Sequence, residues 1–135
     1  MAEAALAHPG LTVAHVCVLV AALLPIVCAG IAKAGFKGFD NRNPRDWLAR
    51  QEGFRRRANA AQANSWEALP IFAAGVLTAI QTGAAQGRID GLALTFIVAR
   101  LLYVLSYVAD WAALRTLVWS LGMGCSIALF LASLW

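Results

Sequence analysis

The sequence predicts an all-α integral membrane protein, a four-helix bundle in up-down-up-down order with both termini on the extracytoplasmic side. The 135 residues are 61% hydrophobic and only 13% charged, whereas soluble domains carry about 25% charged residues. Four apolar segments are each long enough to cross a hydrocarbon core about 30 Å thick. Most of the basic residues fall in one connection. A single membrane domain covering residues 1–135 is therefore predicted.

The first predicted helix covers about 11–32. The segment before it, Met1–Pro9, contains no Lys or Arg, whereas a cleaved signal peptide begins with a positively charged region. The first helix is therefore expected to be retained in the protein.

The second predicted helix covers about 46–80 and starts outside the membrane. Asn43 suits a helix cap and Pro44 suits a first helical position. Gly53 is the only breaker between Asp46 and the apolar segment. The helix is expected to begin near residue 46–54 and to run into the bilayer.

The third and fourth helices are predicted at about 92–110 and 114–134. The turn-rich segment Gln81–Gly91 precedes them. The link between them, around Asp110–Ala113, is so short that the two helices must be antiparallel neighbours.

The first connection, the loop at about 33–54, sets the predicted orientation. Eight of the eleven Lys and Arg residues lie between positions 33 and 57. A basic segment of this kind is compatible with nucleic-acid binding, but between two membrane spans it normally marks the cytoplasmic side. We therefore expect a cytoplasmic loop and no nucleic-acid partner.

Ionisable residues inside the apolar helices are the candidate site. They are costly in a bilayer and usually face the protein interior. Arg57, Asn64 and Glu67 share a stripe of the second helix, at spacings that bring side chains together. Glu67 is also the expected partner of an arginine in the third helix, Arg100. The alternative is that these groups only join helices by hydrogen bonds.

The third helix carries a second polar face, and the fourth begins with a basic residue. Arg100, Tyr103 and Tyr107 recur at three- and four-residue steps. Arg115 starts the fourth helix, where a guanidinium can hold a thiolate or carboxylate by charge-assisted hydrogen bonds. The alternatives are a packed aromatic face with one ion pair, and a plain interfacial arginine.

No metal site is predicted. The only histidines are His8 and His15, near the N-terminus. The three cysteines (Cys17, Cys28 and Cys125) have no zinc-site spacing and suit buried apolar positions.

These motifs together resemble the MAPEG family, the membrane-associated proteins in eicosanoid and glutathione metabolism, and in particular its bacterial branch. The resemblance covers about residues 11–134. It is carried by Asn43-Pro44-Arg45, Arg57-Ala58, Asn64-x-x-Glu67-Ala68-Leu69-Pro70, Arg100-x-x-Tyr103-x-x-x-Tyr107 and Arg115.

The resemblance implies a homotrimer in the bacterial inner membrane, with glutathione as co-substrate bound between neighbouring subunits. It also implies a membrane-embedded glutathione-dependent transferase or peroxidase acting on lipophilic electrophiles. Arg115 would be catalytic by stabilising the thiolate, because a nearby cation lowers a thiol pKa. The expected substrate-binding residues are Arg57, Asn64, Glu67, Arg100, Tyr103 and Tyr107.

One departure from the family pattern keeps an alternative open. Glutathione-using members typically carry an arginine one turn before the second-helix asparagine, and this chain has Ala60 there. A non-catalytic lipid-binding or scaffold protein on the same fold is therefore the second hypothesis. A small transporter subunit is a third, although the first helix contains no acidic residue that could couple transport to protons.

Overall fold

The computed structural model describes residues 10–36 and 38–135, and every regular element within them is helical. The features noted above at Met1–Pro9, which include His8, and at Lys37 lie outside the described residues. The elements are α1 (Val13–Lys33), α2 (Pro44–Ala49), α3 (Gly53–Gln81), α4 (Gln86–Val108), α5 (Ala112–Phe130) and a final 3-10 turn (Ala132–Leu134).

Three of these helices are long and apolar enough to cross a membrane: α1, α4 and α5. The fourth long helix, α3, has 29 residues and is therefore about 43 Å long. Its first half carries three consecutive arginines and several amides. The described chain is thus an all-helical protein with three apolar membrane-length helices and one long helix of mixed character.

The four long helices, α1, α3, α4 and α5, form a bundle. Of these, α3 and α4 each contact all three other long helices. Small residues fill much of the interface, which lets helix backbones approach closely. Phe72 of α3 and Phe96 of α4 stack with ring centroids 3.8 Å apart. Beside them, a Cβ on Gly75 would lie 3.0 Å from the Ser126 backbone oxygen. The centre of the bundle is therefore a tightly packed apolar layer.

Polar side chains tie the helix ends together at one end of the bundle. Asp90 Oδ1 accepts hydrogen bonds from the Ala14 backbone N–H (2.9 Å) and from Gln86 Nε2 (2.8 Å). Arg88 donates to the backbone oxygens of Ala132 and Trp135. The starts of α1 and α4 and the end of α5 therefore meet.

At the opposite end, arginines of α3 donate to the last carbonyls of other helices. Arg55 donates to the oxygens of Ala32 (2.9 Å) and Ala34 (2.7 Å). Arg57 Nε donates to the oxygen of Val108 at 3.1 Å. Cations at helix C-termini satisfy carbonyls that have no partner within the helix. The ends of α1 and α4 therefore lie beside the start of α3.

The predicted second helix is divided in two. The short helix α2 ends at Ala49, and α3 begins at Gly53, whose φ of +60° suits a residue without a Cβ. The break allows Trp47 and Leu48 to bury against Ala32 and Ala58. Burial of that aromatic side chain favours a bend within the predicted helix 46–80, and the start of α3 at Gly53 falls inside the interval 46–54 where its beginning was expected.

The third predicted helix begins earlier than its apolar segment. The segment 81–91 contains three glycines, Gly83, Gly87 and Gly91. Because α4 starts at Gln86, Gly87 and Gly91 lie inside the helix, and Gly83 remains in the turn with φ +74°. The extra turn presents Arg88 and Asp90 to the neighbouring helix ends. Their hydrogen bonds explain why a polar segment continues the helix.

Candidate functional site

Arg100 is the centre of the polar site. Its side chain lies between α4 and α3 and is only 3% exposed. One terminal nitrogen donates to Asn64 Oδ1 at 3.0 Å and the other to Ser65 Oγ at 3.2 Å. Its guanidinium also lies 4.1 Å from the centroid of the Tyr103 ring. A buried charge is tolerated when it is hydrogen-bonded, and neutral groups provide these bonds.

Glu67 reaches this arginine only through an intermediate. Asn64 accepts from Arg100 with its oxygen and donates from Nδ2 to Glu67 Oε2 at 3.3 Å. The expected direct Glu67–Arg100 pair is therefore wrong. The reason is the rotation of α3, which turns Asn64 and Ser65 toward α4 and leaves the Glu67 side chain exposed.

Arg115 and the two tyrosines form an adjoining group. The Arg115 guanidinium lies 4.4 Å from the Tyr107 ring centroid. The Tyr103 and Tyr107 rings meet edge to face, with centroids 5.6 Å apart. Both arginines therefore rest on aromatic faces, an arrangement that holds a cation without neutralising it.

Two adjoining cavities open beside these groups. One, of about 150 Å³, is lined by Asn64, Tyr103, Arg115, Thr116 and Trp119. The other, of about 180 Å³, is lined by Asn64, Glu67, Ala68, Ile71, Trp119 and Met123. Asn64 and Trp119 border both. Ligand pockets usually measure about 300–1,000 Å³, so each of these cavities is smaller than a typical ligand pocket.

The structure therefore brings most of the predicted residues together. Arg100, Asn64, Glu67, Tyr103 and Arg115 are joined by hydrogen bonds or a shared cavity, and Tyr107 lies under Arg115. The exception is a basic residue of α3: the Arg57 side chain donates to the Val108 carbonyl at the helix ends instead.

No site role was predicted for several residues that the structure places here. Ser65 is buried and bonds Arg100, while Thr116 and Trp119 line the cavities. Ser65 carried a usable signal, since it adjoins Asn64 and a guanidinium has several N–H donors to share between two helix positions.

A further cavity of about 290 Å³ lies on a different side of α3, lined by Arg45, Leu48, Asn59, Gln62, Ala63 and Trp66. Asn59, Gln62, Ala63 and Trp66 recur at steps of three and four residues, which is the sequence signal for one helix face. No site was predicted on this face.

Within the residues that the structure describes, no group of three or more His, Cys, Asp or Glu side chains lies close enough to hold a metal ion. Cys17, Cys28 and Cys125 are free and buried.

Comparison with known proteins tests the resemblance carried by these motifs. The model of the MAPEG family matches residues 13–135. Neither a curated protein nor a solved structure matches the chain. Because the family match covers nearly the whole chain, including every site residue above, this membrane protein belongs to the MAPEG family.

Proposed function

We propose that this chain is a glutathione-dependent transferase or peroxidase acting on lipophilic electrophiles. The observation that carries the proposal is the cavity bordered by Asn64, Tyr103 and Arg115, beside a buried guanidinium, Arg100, that is hydrogen-bonded to the neutral side chains of Asn64 and Ser65. Family membership supports glutathione or eicosanoid metabolism as the setting.

The chemistry of glutathione suits this set of side chains. The tripeptide carries two carboxylates, an ammonium group and a thiol. Arg100 and Arg115 supply positive charge for carboxylates and for a thiolate, through charge-assisted hydrogen bonds. Glu67 is an exposed acceptor for the ammonium group. A guanidinium near the sulfur lowers the thiol pKa and so increases the fraction of nucleophilic thiolate.

A homotrimer would complete the site. Rings of identical subunits use interfaces in which two different patches meet. The chain has two such patches on α3: the Asn64–Glu67 side and the Asn59–Trp66 side, whose centres are separated by about 120° at about 100° per residue. We infer that the second patch of one subunit covers the first patch of its neighbour, with glutathione between them.

The second substrate would enter from the bilayer. Ile71, Trp119 and Met123 form the apolar side of the larger of the two adjoining cavities. Trp119 is 40% exposed and Ile71 is also 40% exposed, so a lipophilic electrophile dissolved in acyl chains can reach the cavity laterally.

The membrane arrangement belongs to the same proposal. We infer that α3 spans the bilayer together with the three apolar helices, in up-down-up-down order, with both termini extracytoplasmic. The basic segment at 33–57 then lies on the cytoplasmic side of a bacterial inner membrane, as the positive-inside rule requires.

Purified protein tests the enzymatic proposal. Calorimetry is expected to show glutathione binding, ultraviolet absorbance is expected to show bound thiolate, and an activated aromatic halide is expected to be conjugated. Arg115→Ala is expected to reduce kcat/KM about 10- to 100-fold, the loss of one hydrogen bond to a charged group. Arg115→Lys, which keeps the charge, is the matched control. Absence of glutathione binding together with an unaffected Arg115→Ala variant refutes the proposal.

A non-catalytic lipid-binding or scaffold protein remains the second candidate, and one contact favours it. Ala60 has no cationic side chain, and Arg57, the nearest substitute on the site side, is engaged with the Val108 carbonyl. Native mass spectrometry separates the two: retained lipid with no affinity for glutathione identifies the lipid-binding protein.

A further inference from the structure

The connection between α1 and α3 presents a group of exposed arginines around the short helix α2. Arg42 precedes α2, Arg45 lies in its first turn, and Arg50 follows it; all three side chains are exposed. We call these three residues the basic cap. In the described part of the chain, none of their guanidinium groups donates a hydrogen bond to the protein, unlike Arg55 and Arg57 of α3.

Three carboxylates, Asp40, Asp46 and Glu52, lie among these arginines along the chain, and that of Asp40 is held by the turn. Asp40 Oδ1 accepts from the backbone N–H of Arg42 at 2.9 Å, and Oδ2 accepts from Asn43 Nδ2 at 3.3 Å. These bonds, with the positive charge of Arg50 nearby, hold the pKa of Asp40 below its usual range. Asp40 therefore shapes the turn. The excess of positive charge belongs to the whole segment 33–57, which has eight Lys and Arg residues against three Asp and Glu.

The cap rests on a folded base. Trp47 of α2 is 5% exposed and meets the rings of Phe36 and Phe39 edge to face, with centroids 4.9 and 5.0 Å away. Arg55 bonds the last carbonyls of α1 and also lies over Phe36. This packing fixes α2, so the arginines of the cap are displayed from a defined surface.

The surface lies where phospholipid headgroups would be. The apolar helix α1 ends at Lys33 and α4 ends at Val108, and the base of the cap packs against both helix ends. Phe36 is 43% and Phe54 41% exposed, and the guanidinium of Arg55 lies over both rings. Exposed aromatic residues next to basic residues are typical of the membrane interface.

We propose that the basic cap binds the headgroups of anionic phospholipids. The occupant is a lipid rather than a soluble anion because the base of the cap packs against the ends of two membrane-length helices. The exposed Phe36 and Phe54 at the same end offer contact to the upper acyl chains. Basic clusters next to membrane helices prefer anionic lipids, by about fivefold for each cation near the surface. The proposal does not rest on the enzymatic activity.

Native mass spectrometry of the full-length protein in detergent tests this proposal. Micelles are titrated with phosphatidylglycerol or with phosphatidylcholine of the same acyl chains. Wild type is expected to retain phosphatidylglycerol preferentially, and the preference is expected to fall as salt shortens the Debye length. Arg42→Gln with Arg50→Gln is expected to lower the preference at least about tenfold. Arg45 stays in place because it also borders the 290 Å³ cavity.

A lysine pair is the matched control. Arg42→Lys with Arg50→Lys keeps both charges and is expected to keep the preference. In both variants the backbone N–H of residue 42 remains to bond Asp40, so the turn is preserved. The salt titration of wild type tests the proposal without any substitution.

Three outcomes overturn the proposal: equal retention of the two lipids by wild type, an unchanged preference in the glutamine variant, or displacement of phosphatidylglycerol by inorganic phosphate or duplex DNA at equal concentration. Glutathione calorimetry on the same samples keeps this result separate from the enzymatic proposal.

Discussion

The hydrogen bonds of Arg100 lead to a prediction that distinguishes the observed relay from a direct ion pair. Ser65→Ala removes one of the two hydrogen-bond acceptors of Arg100. Alanine differs from serine only by the lost hydroxyl, so the volume at position 65 is nearly unchanged. Because Arg100 is 3% exposed, water cannot replace the lost hydroxyl. Glu67→Gln, by contrast, changes an exposed group that contacts Arg100 only through Asn64, and glutamine retains an oxygen to accept from the Asn64 amide.

The magnitude follows from the location of the bond. A hydrogen bond to a charged group contributes about 1.5–3 kcal/mol in soluble proteins. Polar contacts between membrane helices contribute about 0.6 kcal/mol on average and about 1.7 kcal/mol at most. The Arg100–Ser65 contact is both charged and buried, at 3.2 Å. We therefore expect Ser65→Ala to lower the free energy of unfolding by about 1.5 kcal/mol, and Glu67→Gln by about 0.5 kcal/mol or less.

The assay is reversible unfolding in mixed micelles containing increasing amounts of dodecyl sulfate, followed by tryptophan fluorescence. Ser120→Ala is the matched control. The Ser120 hydroxyl is exposed and donates to the Thr116 carbonyl of its own helix, α5, so its loss removes no contact between helices. It is expected to change stability by less than about 0.5 kcal/mol. If Glu67→Gln destabilises the protein as much as Ser65→Ala, the relay through Asn64 is refuted and a direct ion pair is supported.

Two further predictions concern the close helix contact at Gly75 and the turn at Asp40. Gly75→Ala places a Cβ 3.0 Å from the Ser126 backbone oxygen, so it is expected to destabilise the protein by about 1–3 kcal/mol. Gly124→Ala is the control: its Cβ meets nothing within 4 Å, and it is expected to be neutral or stabilising. Equal effects of the two substitutions in the same unfolding assay contradict this prediction. The lowered pKa of Asp40 means that its contribution to turn stability is complete above the pKa of an unfolded aspartate, about 3.9, and is lost as pH falls through the lower folded value. Carboxyl-carbon NMR is expected to give a lower midpoint for Asp40 in the protein than in a peptide of residues 38–45, and identical midpoints contradict the prediction.

Much of the fold was predictable because helix formation in a bilayer depends on local composition. Apolar runs of membrane length identified α1, α4 and α5. The breaks were less predictable. Gly53 was recognised as a breaker, but whether the helix bends there depends on the burial of Trp47 against distant residues. The earlier start of α4 depends likewise on bonds from Asp90 to α1.

The sequence predicted which residues belong to the candidate site better than it predicted which of them contact each other. Spacing placed Asn64 and Glu67 on one stripe of a helix, and Arg100 and Tyr103 on another. Spacing alone leaves open how two helices are rotated against each other, and a rotation of a few tens of degrees decides which polar group meets the guanidinium. The structure selects Asn64 and Ser65.

The sequence by itself determined that this is a helical membrane protein of the MAPEG family, because apolar length, charge distribution and short motifs are properties of neighbouring residues. Only the tertiary structure decided that Glu67 contacts Arg100 through Asn64, that Arg57 holds a helix end, and that Trp119 borders the cavities. These outcomes depend on the rotation and close approach of whole helices, which are set by packing across the bundle.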